Sequence, residues 1–194
     1  FGGNEDWRYA NLRREHGRAW IITQFFAVSM AQHGMLVGLT MPLQPAMSAT
    51  AAPLNLHDAF ATAWCVAGML VSLIADNQLF EYMHRPSKPL LLESGLWRYS
   101  RHPNHFGEQL WWLGLLYFSV SSAGGLSAFG ACGAYCWAVT FGVCFNHPLD
   151  ILATLPMIEQ RMAMRPERAA VYRAYQERTS FLIPWWPKAD GKTE

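Results

Sequence analysis

The sequence predicts an all-α fold, a polytopic membrane bundle of about four spanning helices with a cytosolic helical tail, and three observations predict it. Asp, Glu, Lys and Arg are absent from residues 19–57, 59–75 and 109–149 of the 194-residue chain. Apolar stretches of this length, divided by charged ones, are the pattern left by helices that cross a bilayer core of about 30 Å. Hydrophobic residues make up 52% of the chain, with 9 Trp, 11 Phe and 9 Met. A mean hydropathy of only +0.04 is therefore an average over segregated parts. All 15 Lys and Arg fall within 1–18, 84–104 and 148–194. With those three segments inside and 44–57 and 121–125 outside, the positive-inside rule holds along the whole chain.

The expected organisation is a single membrane domain over 1–194, divided into a cytosolic arm (1–18), four transmembrane helices (19–145) and a cytosolic helical tail (146–194). Within the arm, Arg8 to Gly17 suits a short helix lying at the surface. Phe1 in place of an initiating Met leads us to expect that preceding sequence has been removed, and residues 1–18 are too charged for a signal peptide. The first span is predicted from Ala19 to about Leu43, after which Pro42, Pro45 and Pro53 punctuate a loop of small residues. Asn55 or Asp58 is placed to cap a second helix from Ala59 to about Tyr82. A basic loop from His84 to Asn104 leads into a third span, His105 to Val120, closed by Ser121, Ser122, Gly124 and Gly125. The fourth is predicted from Leu126 to Phe145. Beyond Pro148 one helix should reach about Met164 and another run from Glu167 to Arg178, ahead of Ile183-Pro184-Trp185-Trp186-Pro187. Trp111-Trp112 and Trp185-Trp186 read as interfacial anchors.

Several function classes are excluded. A net charge of +1 and the lack of any Lys/Arg run leave no footprint for nucleic acid. Cys65, Cys132, Cys136 and Cys144 lie in apolar segments without His or carboxylate at ligand spacing, so they read as small packing residues and no metal is expected. The expected partner is the lipid bilayer.

Chemistry concentrates in Ser94–Glu108, where Arg98, Arg101, His102, Asn104 and Glu108 crowd the junction of a basic loop and a spanning helix. Pro103 suits the first helical turn. The free N–H groups of that turn, with the two arginines, would make an anion site. Glu108 is costly in lipid and should face a cavity or partner, and Asp76 and Glu81 close the preceding helix at the same depth. The structural alternative, arginines obeying the positive-inside rule and a carboxylate joining helices, stays open here. His102 reads as a loop-fixing hydrogen bonder or a proton donor, with no carboxylate nearby in sequence. His105 faces a cofactor or packs at the interface, and His33, near Gln24 and Gln32, is a mid-span polar group. Arg165, Arg168 and Arg173 follow Arg161 on helical spacing, forming a solvated face or flanking something anionic.

Gly95-Leu96-Trp97-Arg98-Tyr99-Ser100-Arg101-His102-Pro103-Asn104, followed by Phe106-Gly107-Glu108, closely resembles the signature of the DUF1295 family, related to the C-terminal domain of steroid 5α-reductases. Glu5-Asp6-Trp7-Arg8-Tyr9, Ala75-Asp76, Pro156–Arg161, Tyr172–Tyr175 and Arg178–Pro184 agree with it, so the likeness extends over nearly the whole chain. The resemblance implies a helical membrane fold that holds NADPH on its cytosolic side and delivers hydride to an activated carbon–carbon double bond of a hydrophobic, lipidic substrate. It puts Asn104 and Glu108 near the nicotinamide and Asp76 on the adenosine side. Arg85 or Lys88, Arg98 and Arg101 would face phosphates, while Tyr172, Tyr175 and Arg178 would close over the site, with His102, Glu159 and Arg161 also in the cofactor-binding set. Guanidinium forks suit phosphate, and amide and carboxylate groups can orient a carboxamide. The chain departs from the family in having His105 where an aromatic, often Tyr, is usual, and from the steroid reductases in having Ser72 where they carry Asn. The acidic and tyrosyl groups that polarise the substrate in those reductases belong to an N-terminal region this chain lacks or presents only as residues 1–18, so the catalytic residues are left unassigned. Two rival readings are an isoprenylcysteine carboxyl methyltransferase using S-adenosylmethionine, which typically has Glu-Glu where this chain has Glu159-Gln160, and a non-catalytic subunit of a membrane complex.

Overall fold

The computed structural model describes residues 7–47, 53–131, 143–144 and 150–188, and these are helical throughout apart from loops and one isolated bridge between Ser100 and Ser180. Helix α1 (Trp7–His16) passes through a 3-10 turn (Gly17–Ala19) into α2 (Trp20–Thr23), a π-helical stretch (Gln24–Met30) and α3 (Ala31–Thr40). The arm and the first predicted span thus form one helical run, Tyr9–Thr40, 32 residues long and apolar enough to cross a membrane. Gly17 takes φ +51° where the polar arm becomes apolar, a conformation without steric cost only for glycine. His33 Nδ1 lies 2.6 Å from the Ser29 carbonyl of its own helix, so that polar group is partnered locally. Beyond it come α4 (Leu43–Met47) and the second long helix, α5 (Leu56–His84), whose 29 residues are also apolar enough to span.

Asn55 caps α5. Its side chain accepts the His57 N–H at 2.8 Å while Asp58 accepts the Asn55 N–H at 2.7 Å, a reciprocal box that satisfies two donors the helix leaves open. Replacing Asn55 by Ala is expected to lower the stability of the folded protein by about 1 kcal/mol, read as a fall in melting temperature.

Helix α6 (Pro103–Ser122) begins with proline at its first turn and runs antiparallel to α5. The pairing can be followed contact by contact. Asn55 meets Ser121, His57 meets the Tyr117 hydroxyl at 2.8 Å, and Ser72 donates to the Asn104 carbonyl at 2.7 Å. Between these, Gly68 and Gly107 bring the two backbones together, and Gly114 faces Cys65. In lipid, where no hydrophobic force draws helices together, small residues matter because they permit this approach. Farther along, α7 (Leu126–Ala131) places Phe129 against Met41, Leu116 and Val120, tying the end of the first helical run to the far end of α6. The fourth predicted span lies largely outside the described residues, as do Cys132 and Cys136.

The loop after α5 folds back on it. Tyr82 donates to the Pro89 carbonyl at 2.8 Å, Leu96 N–H to Gln78 at 2.9 Å, and the Trp97 indole to the Ala75 carbonyl at 3.0 Å. Two short helices, α8 (Leu155–Ala163) and α9 (Ala169–Arg178), cover this loop around a small core of Leu91, Tyr172 and Tyr175 with Met162 and Ala163. The chain then crosses the loop as an extended strap. Arg101 N–H donates to Ser180, the Ser100 hydroxyl to Leu182, and Trp185 N–H to Tyr99, at 2.7–2.9 Å. Loop, start of α6 and tail therefore meet at one end of the α5–α6 pair.

Candidate functional site

Glu159 on α8 is the polar centre of that meeting point. Its carboxylate accepts from Arg101 and His102 at 3.1 Å and from Gln176 at 3.0 Å, and the three charged or titratable side chains are 7–12% exposed. Burial pushes the Glu159 carboxyl up; the His102 hydrogen bond, the Arg101 charge and the Gln176 amide outweigh it and hold the group below the ordinary Glu range. The carboxylate that sequence could not find for His102 thus stands 57 positions away. Arg101 is consumed in this ion pair, with its guanidinium 5.3 Å over the Phe181 ring and its Nε buried without a partner. Burial, and then the Glu159 charge, raise the Tyr172 phenol; burial and the neighbouring Tyr172 raise Tyr175, so both stay protonated donors. The Tyr175 hydroxyl donates to the Trp97 carbonyl at 2.5 Å, which pins α9 to the loop.

Beside this hub the ends of α5 and α6 form an open groove of about 340 Å³, lined by Ser72 and Asp76 from one helix and Asn104, Gly107, Glu108, Trp111 and Trp112 from the other. Asn104 and Glu108 stand one turn apart on α6, so they share a face, and α5 presents Asp76 opposite. Glu108 and Asp76 are exposed, and the Trp112 indole N–H lies 3.4 Å from the Glu108 carboxylate. The amide oxygen of Asn104 is buried and has no hydrogen-bond partner. Such an atom carries a desolvation cost that a ligand donor would remove.

Asn104 also lines a second, more enclosed and mainly apolar cavity of about 350 Å³. Leu79, Tyr82, Met83, Leu91, Ile158 and Met162 make its walls, and Arg101, His102, His105, Arg165, Arg168 and Tyr172 supply its polar groups. The Nε of Arg168 is a further buried donor without a partner. The basic loop, the start of α6 and the 156–178 helices converge on this one cavity.

The remaining candidates spread around this centre. Arg98 and Arg178 line a separate hollow with Glu93 and Lys188, and Arg178 is paired with Glu93. Arg85 is exposed at another edge of the loop, and Lys88, also exposed, lies 5.6 Å over the Tyr82 ring. Arg161 is half-buried on α8, two positions beyond Glu159 and so on a different face. Arg165 and Arg168 were legible only as a basic run with an open purpose; the cue was the Arg161–Arg165 repulsion that an intervening anion relieves.

The profile of a family described as a protein of unknown function (DUF1295) matches residues 1–179. The chain belongs to the DUF1295 family. Nothing among curated proteins or solved structures matches it. For this DUF1295 chain the match takes in the groove, the cavity and the Glu159 hub, ending at the first residue of the strap.

Proposed function

We propose that the chain is a membrane NAD(P)H-dependent reductase of the steroid 5α-reductase type, holding NADPH where α5, α6 and the tail meet and acting on an activated C=C bond of a lipidic or steroid-like substrate. The observation that carries this reading is the buried, partnerless amide oxygen of Asn104 in a groove shared with Glu108 and Asp76. A carboxamide NH2 has two donors. Asn104 and Glu108 offer two acceptors one turn apart, which is the complement that would orient it. Asp76 across the groove is an acceptor for ribose hydroxyls, and the orphaned Arg168 Nε in the adjoining cavity is a donor for phosphate. Arg101, neutralised by Glu159, acts by holding the loop. When bound, the reduced nicotinamide supplies the hydride; the residues bind and orient it, and the apolar cavity limits water. The 32- and 29-residue apolar helices support a membrane location, with multiple spans.

Thermal-shift titration of purified protein tests the cofactor. NADP⁺ is expected to stabilise it, whereas stabilisation by S-adenosylhomocysteine but not NADP⁺ would establish the methyltransferase instead. Glu108→Ala is expected to weaken NADP⁺ binding roughly 10- to 150-fold, the loss of a hydrogen bond to a charged group at about 1.5–3 kcal/mol, and Glu108→Gln less. Lower melting temperatures with unchanged affinity in both variants would make Glu108 a link between helices and remove it from the site.

A further inference from the structure

The hollow of about 490 Å³ around Arg98, Arg178 and Lys188 is lined by none of Asp76, Asn104 or Glu108. We infer that it binds the headgroup of an anionic phospholipid, and that the strap beside it is a membrane-surface contact. This rests on the membrane reading of the helices, and four observations carry it.

The first is depth. Strap residues Ser180, Leu182 and Trp185 are hydrogen-bonded to Tyr99, Ser100 and Arg101, within four residues of the start of α6. If α5 crosses the bilayer with α6 antiparallel beside it, the strap lies level with the helix ends, in the headgroup layer. The second is charge. Three cations face one carboxylate, Glu93, which Arg178 already pairs, so the hollow carries a net charge of +2 (three minus one) with Arg98 and Lys188 exposed.

The third is the apolar rim. Ile183, Trp185 and Trp186 are 63%, 71% and 74% exposed. They are not loose, because Trp185 N–H is bonded to Tyr99, Lys188 N–H to the Arg178 carbonyl at 2.9 Å, and the Trp186 ring stands edge-on to Tyr99 at 5.3 Å. A fixed backbone that holds two indoles outward beside two exposed cations is poorly suited to water and well suited to the bilayer interface. The fourth is separation. Tyr175, buried and bonded to the Trp97 carbonyl, lines both the hollow and the cavity at Asn104, so its side chain stands at their boundary.

The test is lipid retention by the full chain, reconstituted in nanodiscs of phosphatidylcholine with and without phosphatidylserine and then released for native mass spectrometry. Wild type is expected to retain phosphatidylserine preferentially. The Lys188→Gln variant should reduce that retention about 5-fold, one charge at roughly 1 kcal/mol, with NADP⁺ affinity and melting temperature in neutral lipid unchanged. Trp185→Ser/Trp186→Ser should reduce retention of both lipids. Equal retention of the two lipids by wild type, or no change in the charge variant, overturns the inference. A parallel loss of NADP⁺ affinity in that variant would hand the hollow to the cofactor, and equal protection by inorganic phosphate would make it a free-phosphate site. Protein that stays in the aqueous phase without detergent would overturn this inference together with the membrane reading.

Discussion

Glu159→Ala is expected to destabilise the fold by about 3–5 kcal/mol, because it removes one partner from a largely buried ion pair and strands the rest. Arg101, His102 and Gln176 all direct donors at this carboxylate, and the Arg101 Nε is already without a partner. Alanine would leave a buried guanidinium with no counter-charge between loop and tail. Glu159→Gln keeps the volume and one acceptor, so the expected loss is smaller, about 1.5–3 kcal/mol for the charged hydrogen bonds. Chemical denaturation of the two variants beside wild type reads the difference. Equal stability of Glu159→Ala and wild type would show that the hub contributes no net stability.

The same carboxylate predicts an acid limb. Its folded pKa is lowered, by His102 and Arg101 against the opposing effect of burial. A depressed carboxylate contributes stability that is complete above its unfolded value, near 4.5, and is lost as pH falls through the lower folded value. Wild type should therefore lose stability in that acidic window relative to Glu159→Gln, whose amide does not titrate. The two stability curves should converge there and run parallel at neutral pH.

How much of this was legible in sequence follows the range of the forces involved. The start of α5 could be read because a cap is local: Asn55 and Asp58 stand three apart and the helix begins between them. Pro103 marked the start of α6 for the same reason. The π-helical stretch Gln24–Met30 has no such mark, since it contains neither proline nor glycine. Arg101 shows the limit most clearly. In sequence it is one cation among several beside a helix start, equally suited to a phosphate or a carboxylate, and only the packing of α8 against the loop assigns it to Glu159, 58 positions on. That Asn104 and Glu108 share a face could be read because one helical turn relates them to each other, although the unsatisfied oxygen of Asn104 depends on what α5 and the tail put around it.

Gly107→Leu should have an effect comparable to the loss of Glu159, about 3 kcal/mol or more, and should also disturb the groove. A Cβ at Gly107 would lie 2.5 Å from the Gly68 carbonyl oxygen and 2.6 Å from the Ser72 nitrogen, both backbone atoms of the facing helix. Neither can turn aside, so α5 and α6 must separate. Overpacking a well-packed contact typically costs about 1–3 kcal/mol, and leucine adds a branched side chain to the obstruction. Gly114→Ala is the informative comparison, because its Cβ would meet first the Cys65 sulfur, at 2.6 Å, a side chain that substitution can remove. Cys65→Ala is expected to recover most of the Gly114→Ala loss, while no single side-chain change on α5 should recover Gly107→Leu. Alanine gains about 1 kcal/mol over glycine within a helix, so any net loss in Gly107→Ala is a lower bound on the steric term. Ser72 donates to the Asn104 carbonyl at 2.7 Å, one turn from the obstruction, so separating the helices pulls at the residue that joins groove and cavity. NADP⁺ affinity should therefore fall in whatever fraction of Gly107→Ala remains folded and stay unchanged in Gly114→Ala, two turns farther from Asn104. Equal affinity in both variants would mean that the seam sets stability alone, and that Asn104 is held by the loop and tail rather than by α5.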